Sequence, residues 1–141
     1  MIKDFETLKE KAKALRNTRL ANIHRANNGS CSMNMINCKN GKRISFSKML
    51  SIKLDLQDSV DIVELEDEGM ILISKNLPYD FKSTYSLRGD DRKIIYSSEL
   101  VEVLTEIFNL DFGTKVSRSF TDITINTDDN TVIAAITLVK K

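Results

Sequence analysis

The residue types able to do covalent or acid–base chemistry are few in this chain, with one histidine, two cysteines and five glycines among 141 residues. His24 stands alone in a basic segment, with no second imidazole for proton transfer or metal ligation. Cys31 and Cys38 lack the C-x-x-C spacing, and a thiol nucleophile needs an activating base that the flanking stretch supplies only as Lys39. They read as free thiols of a reducing compartment. Glu64, Glu66, Asp67 and Glu68 form an acidic run whose spacing does not match a calcium loop, so it reads as a solvated turn. No glycine-rich phosphate loop, Walker-type lysine or G-x-S-x-G element is present. The expectation is a protein with no catalytic residue, no metal and no cofactor: not an enzyme.

Charge says more. The formal net charge is +1, yet residues 1–53 carry twelve Lys/Arg against three acids while residues 54–141 carry nine against seventeen. The balances are +9 and −8, and such segregation bears on partners and fields rather than on fold. Either these charges neutralise one another in space, or a basic face meets nucleic acid or an acidic partner. Lys9, Lys13, Arg16, Arg19 and Arg25 in the N-terminal segment, with Lys42, Arg43 and Lys48 beyond it, are the candidate phosphate-binding residues. Tyr79, Phe81 and Tyr85 interleave with Lys82 and Arg88, a mixture that suits either single-strand stacking or a cover over the core.

Positioning those residues requires regular elements. Phe5, Leu8, Ala12 and Leu15 fall at helical spacing, a narrow apolar stripe on a basic rod over residues 3–24. Asn27-Asn28-Gly29-Ser30 breaks it, and residues 26–40 read as a polar linker. The rest repeats. Gly41-Lys42-Arg43-Ile44-Ser45-Phe46-Ser47 returns fifty positions later as Asp91-Arg92-Lys93-Ile94-Ile95-Tyr96-Ser97, adding Arg92 and Lys93 to the candidate phosphate-binding set. In both copies a basic pair leads a short strand, a serine caps a helix and a leucine-rich stretch follows. The second helix carries four extra residues, about one turn. Asp55 and Asn109 close the two helices, being residue types that tolerate the left-handed conformation.

The expected fold is α+β: a basic N-terminal helix over 1–25, a linker over 26–40, a β-α-β-β unit over 41–75, a connector over 76–91 and a second β-α-β-β unit over 92–141. The two units are expected to pack as a pseudo-dimer, since forty to fifty residues make a marginal core alone. The expected core joins Ile44, Phe46, Leu50, Leu54, Ile62, Ile71 and Ile73 to Ile94, Tyr96, Leu100, Leu104, Ile123 and Ile136.

Gly41-Lys42-Arg43-Ile44, then Leu50, Leu54 and Leu56, then Val60-Asp61-Ile62 and Met70-Ile71-Leu72-Ile73 resemble the AbrB/SpoVT-type swapped-hairpin domain, with an echo over 91–138. The chain departs from that pattern at Ser47 and Ser97, where the family has proline, and at Leu54-Asp55 and Asp58-Ser59. The resemblance implies a small DNA-binding regulator contacting the DNA backbone through Lys42, Arg43 and Lys48, with Arg92 and Lys93 in the second copy. The second copy replaces Lys48 with Ser98 and adds Glu99, Glu102 and Glu106. The alternative expectation is a small protein-binding inhibitor or adaptor, of the kind mobile elements encode, whose acidic half blocks a nucleic-acid-acting partner. No stretch approaches the roughly twenty apolar residues of a membrane span, and the N-terminus lacks a signal-peptide run. The expected location is cytoplasmic, as a monomer or homodimer.

Overall fold

The computed structural model describes residues 31–128 and 130–140. Strands β1 (Met33–Cys38) and β2 (Gly41–Phe46) form a hairpin closed by Lys39-Asn40 and followed by helix α1 (Lys48–Lys53). Strand β3 (Ser59–Leu65), a single 3-10 turn (Glu66–Glu68) and β4 (Met70–Ser74) complete the first half. Strands β5 (Ser83–Ser86) and β6 (Ile94–Ile95) lead into helix α2 (Ser98–Ile107), and β7 (Ser117–Phe120), β8 (Ile123–Asp128) and β9 (Thr131–Thr137) follow.

The strands make two antiparallel sheets, one in the order β6-β2-β1-β7 and one in the order β5-β3-β4-β9-β8. Each sheet has a seam between the two sequence repeats. β2 meets β6 with Ile44 opposite Ile95, and β4 meets β9 with Ile71 opposite Ile136 and Leu72 opposite Ala135. Both helices begin alike: the Leu50 N–H donates to Ser47 Oγ at 3.3 Å and the Leu100 N–H to Ser97 Oγ at 3.1 Å. Both end alike too. Asp55 and Asn109 each adopt φ 51°. The next residue's N–H reaches back five positions, Leu56 to the Ser51 carbonyl and Leu110 to the Thr105 carbonyl, each at 3.0 Å. This is a Schellman closure, in which the residue after the left-handed position turns its side chain inward, and Leu56 and Leu110 are accordingly buried.

One core fills the space between the sheets and helices. It joins Met33, Ile44 and Phe46 of the four-stranded sheet, Leu50, Leu100 and Leu104 of the helices, and Ile62, Ile71, Ile73 and Ile136 of the five-stranded sheet. The other face of the five-stranded sheet holds a smaller cluster, in which Val63, Leu65, Met70, Leu72, Ile133 and Ala135 pack with Leu77 and Tyr79 of the connector.

Several expectations are corrected. The architecture is mostly β rather than α+β: nine strands in two antiparallel sheets, against helices of six and ten residues, among the described residues. The helix expected over residues 3–24 lies outside the described residues. The 26–40 linker contains β1, whose Met33 and Met35 point inward while Asn34 and Ile36 point outward. A strand with one solvent-facing polar side reads as a linker when its partners are unknown. The connector contains β5, pinned to β3 with Tyr85 opposite Val60. The second unit is not β-α-β-β, because three strands rather than two follow its helix: the chain breaks at Thr121-Asp122, β7 pairs with β1 and β8 with β9. Tyr96, expected in the core, is 63% exposed, and Ile95 rather than Ile94 points inward.

Leu104 is fully buried where α2 packs against both β1 and β2. Leu104→Ala is expected to cost about 2–5 kcal/mol, read as a lowered urea midpoint at unchanged slope.

Candidate nucleic-acid interface

The side chains on β2 alternate between the two faces of the sheet. Ile44 and Phe46 are buried against the helices, so Lys42 shares their side and Arg43 and Ser45 point the opposite way. This decides the fate of the first candidate pair. Lys42 reaches the acidic face of α2 and donates to Glu102 Oε1 at 2.7 Å. With Glu102 61% exposed, the pair is worth about 0–1 kcal/mol, but it occupies the ammonium. Arg43 faces outward, bonding only weakly to the Gly41 carbonyl at 3.4 Å.

The remaining candidates spread along the β2–β6 seam. Because those strands are antiparallel, Arg92 and Lys93 sit beside the end of β2, where the Phe46 N–H donates to the Lys93 carbonyl at 2.9 Å. Lys42 and Lys93 are thus about four residues, roughly 14 Å, apart along the seam. Lys93 Nζ donates to the Gly89 carbonyl at 3.0 Å, while Arg92 is exposed. The turn that presents them requires glycine: Gly89 has φ 92°, and a Cβ there would lie 2.2 Å from the Arg92 carbonyl oxygen. Lys48, on the first turn of α1, lies 3.9 Å from Asp91. Lys9, Lys13, Arg16, Arg19 and Arg25 lie outside the described residues. The structure therefore brings Lys48, Arg92 and Lys93 to one end of the seam and leaves Arg43 on the outer sheet face.

The two helices, matched in caps and closures, differ in what they expose. On α1 the outer residues are Lys48, Met49 and Ile52, with Ile52 59% exposed. On α2 they are Glu99, Glu102 and Glu106. The acidic run Glu66–Glu68 forms the 3-10 turn between β3 and β4, where Gly69 takes φ 69°. Tyr79 is buried and stacks on Phe81 with ring centroids 5.7 Å apart, so this pair covers the smaller core cluster.

Two features escaped the reading of the sequence. Asp61 is a buried carboxylate that ties the connector to β3. It accepts from the Leu77 N–H at 2.9 Å and from Thr84 Oγ1 at 2.6 Å, with Lys82 Nζ at 3.4 Å. An aspartate breaking the apolar run Val60-Asp61-Ile62-Val63 was the available signal. Tyr96 is the second. Its place in the repeat, equivalent to Phe46, suggested burial, but Ile94-Ile95 offers two adjacent apolar residues, and a one-residue shift exchanges the faces.

No family model, curated protein or solved structure matches the chain. No helix among the described residues is long and apolar enough to cross a membrane, and no cluster of ligating side chains that could hold a metal ion is found among them.

Two expectations follow from this geometry. Asp61→Ala leaves the buried Leu77 N–H without its acceptor and should cost about 1–3 kcal/mol; Asp61→Asn should recover part of that in the same denaturant titration. Burial pushes the Cys31 thiol above its ordinary value, opposed in part by Lys53, and the side chain is fully covered, whereas Cys38 is only half-buried. Fewer thiolates at any given pH, together with blocked access, should make iodoacetamide alkylate Cys38 well before Cys31, as mapped by peptide mass spectrometry. Denaturation should equalise the two rates.

Proposed function

We propose that this chain is a non-enzymatic, cytoplasmic nucleic-acid-binding or regulatory protein that works through its basic N-terminal third. The observation that carries the reading is the +9 balance over residues 1–53. Charge of that density on a short segment favours a polyanion, because each phosphate neutralised releases condensed counterions. The exposed Arg92 and the outward-facing Arg43 add cations that form no ion pair among the described residues. The AbrB-like pattern over 41–73 supports the same reading, and the cross-pairing of the repeats in both sheets suits a chain that does alone what a two-fold dimer does. Lys42, held by Glu102, contributes less than the sequence suggests.

A second reading rests on α2. Its exposed Glu99, Glu102 and Glu106 form a carboxylate face suited to a basic protein surface, as an inhibitor or adaptor would need.

Titrating the full chain into labelled double- and single-stranded DNA at low and physiological salt separates the two. Replacing Lys9, Lys13, Arg16, Arg19 and Arg25 together with Gln should weaken binding across sequences and flatten the log–log salt dependence by about 0.7–0.9 for each phosphate no longer neutralised. No binding at low salt refutes the nucleic-acid reading. A protein that remains bound to the chain after nuclease treatment, and is released by Glu99→Lys, favours the second.

A further inference from the structure

Among the described residues, the outward face of the four-stranded sheet gives no residue to the main core. The residues that this sheet gives to the main core, Met33, Met35, Ile44, Phe46, Ile95 and Phe120, all lie on its other face. Helix α2 contacts that inner face at β1 and β2, as when Thr105 Oγ1 approaches Met35 Sδ at 3.9 Å. On the outer face Arg43 is directly opposite Ile36 of β1. The β2–β6 register, extended one position beyond Ile44–Ile95, sets Tyr96 on the other side of Arg43. Side chains directly opposite in antiparallel strands have Cβ atoms about 4.5–5.5 Å apart. By this register an aromatic ring that is 63% exposed stands beside an outward guanidinium at the β6 edge of the sheet.

The outward positions around them mix apolar Ile36 and Ile94 with polar side chains. Ser45 and Asn34 are opposite one another, and the Ser119 hydroxyl hydrogen-bonds Asn34 Oδ1. None of the outward positions on β1, β2, β6 and β7 is acidic. Lys39 at the hairpin tip adds a cation at one end of β2, and Arg92 adds one at the other, beside the exposed Asp90 and Asp91. From Gly41 to Phe46 the strand runs about 17 Å.

We propose that this face is a platform for single-stranded nucleic acid, on which a base stacks on Tyr96 while Arg43 pairs with the adjoining phosphate. The inference rests on the nucleic-acid reading above and deepens it. Single strands are favoured over duplex because the ring needs an unpaired base face, which a duplex keeps inside its own stack. Charge complementarity favours a polyanion over an acidic protein, since the polar neighbours can hydrogen-bond base edges while the ring takes a flat apolar surface.

The test is fluorescence anisotropy of a short labelled oligothymidylate, and of a duplex of equal length, with the full chain at low and physiological salt. The expected result is tighter binding of the single strand. Tyr96→Ala should weaken it about five- to hundredfold, and Tyr96→Phe should restore it. Arg43→Gln should weaken it with a shallower salt dependence, and bound oligothymidylate should slow alkylation of Cys38, which faces the same side as Arg43. Because Tyr96 is largely exposed, the alanine variant should melt as the wild type does; should it not, Arg43→Gln decides in its place. Binding that persists unchanged in both variants overturns the platform and leaves the nucleic-acid reading intact. A duplex preference also overturns the platform alone. Absence of binding to either form overturns both.

Discussion

Pairing of β4 with β9 holds the two halves of this protein in one fold. All five residues of β4 are buried, and its partners on β9 include Ala134 and Ala135, set opposite Ile73 and Leu72. Small residues facing large ones let both sides of the sheet be covered without overfilling either. One side closes on the helices and the four-stranded sheet, the other on Leu77 and Tyr79. Each half alone would bring one or two hairpins and a short helix, too little apolar area for a stable core. The seam removes an exposed edge from both hairpins and lets the halves share one core. The connector gains from it as well, for Asp61 can hold Leu77, Lys82 and Thr84 only because β3 is already fixed beside β4.

The second seam, between β2 and β6, is shorter and less symmetrical. Copy one enters its helix from a cap at φ −60°, ψ 159°; copy two enters at φ −146°, ψ 106°. The strand before the second cap turns Ile95 inward and releases Tyr96, while its counterpart Phe46 is buried. A repeated backbone has thereby acquired two different surfaces: lysine and apolar residues on α1, glutamates on α2, and a lone exposed ring on the outer sheet. The segregated charge of the sequence meets itself in part across these surfaces, where Lys42 joins Glu102 and Lys48 approaches Asp91. Neutralisation in space and a cationic outer face coexist, because alternation along β2 sends Lys42 one way and Arg43 the other.

Local signals were legible in the sequence wherever their cause was local. The serine caps and the left-handed Asp55 and Asn109 each depend on a few adjacent residues, and each is found where the residue types pointed. The expected interior was read correctly at Leu50, Leu54, Ile62, Ile71, Ile73, Leu100, Leu104, Ile123 and Ile136, because apolar periodicity reports which side of an element avoids water. Strands β1 and β5 were missed since Asn34 and Asn37 interrupt the first and Ser83, Thr84 and Ser86 dominate the second, and only a neighbouring strand's hydrogen bonds make such segments regular.

By itself, then, the amino-acid order determined the repeat, the helix caps, most of the core and the presence of a single histidine. Tertiary structure decided which strands pair across the repeats, where the chain changes sheet at Thr121-Asp122, that Tyr96 faces outward beside Arg43, and that Asp61 is buried. The physical reason is range. Caps, turns and periodicity are satisfied within a few residues, whereas sheet order, strand register and the partner of a charged side chain depend on groups dozens of positions away, as Lys42 and Glu102 are sixty residues apart.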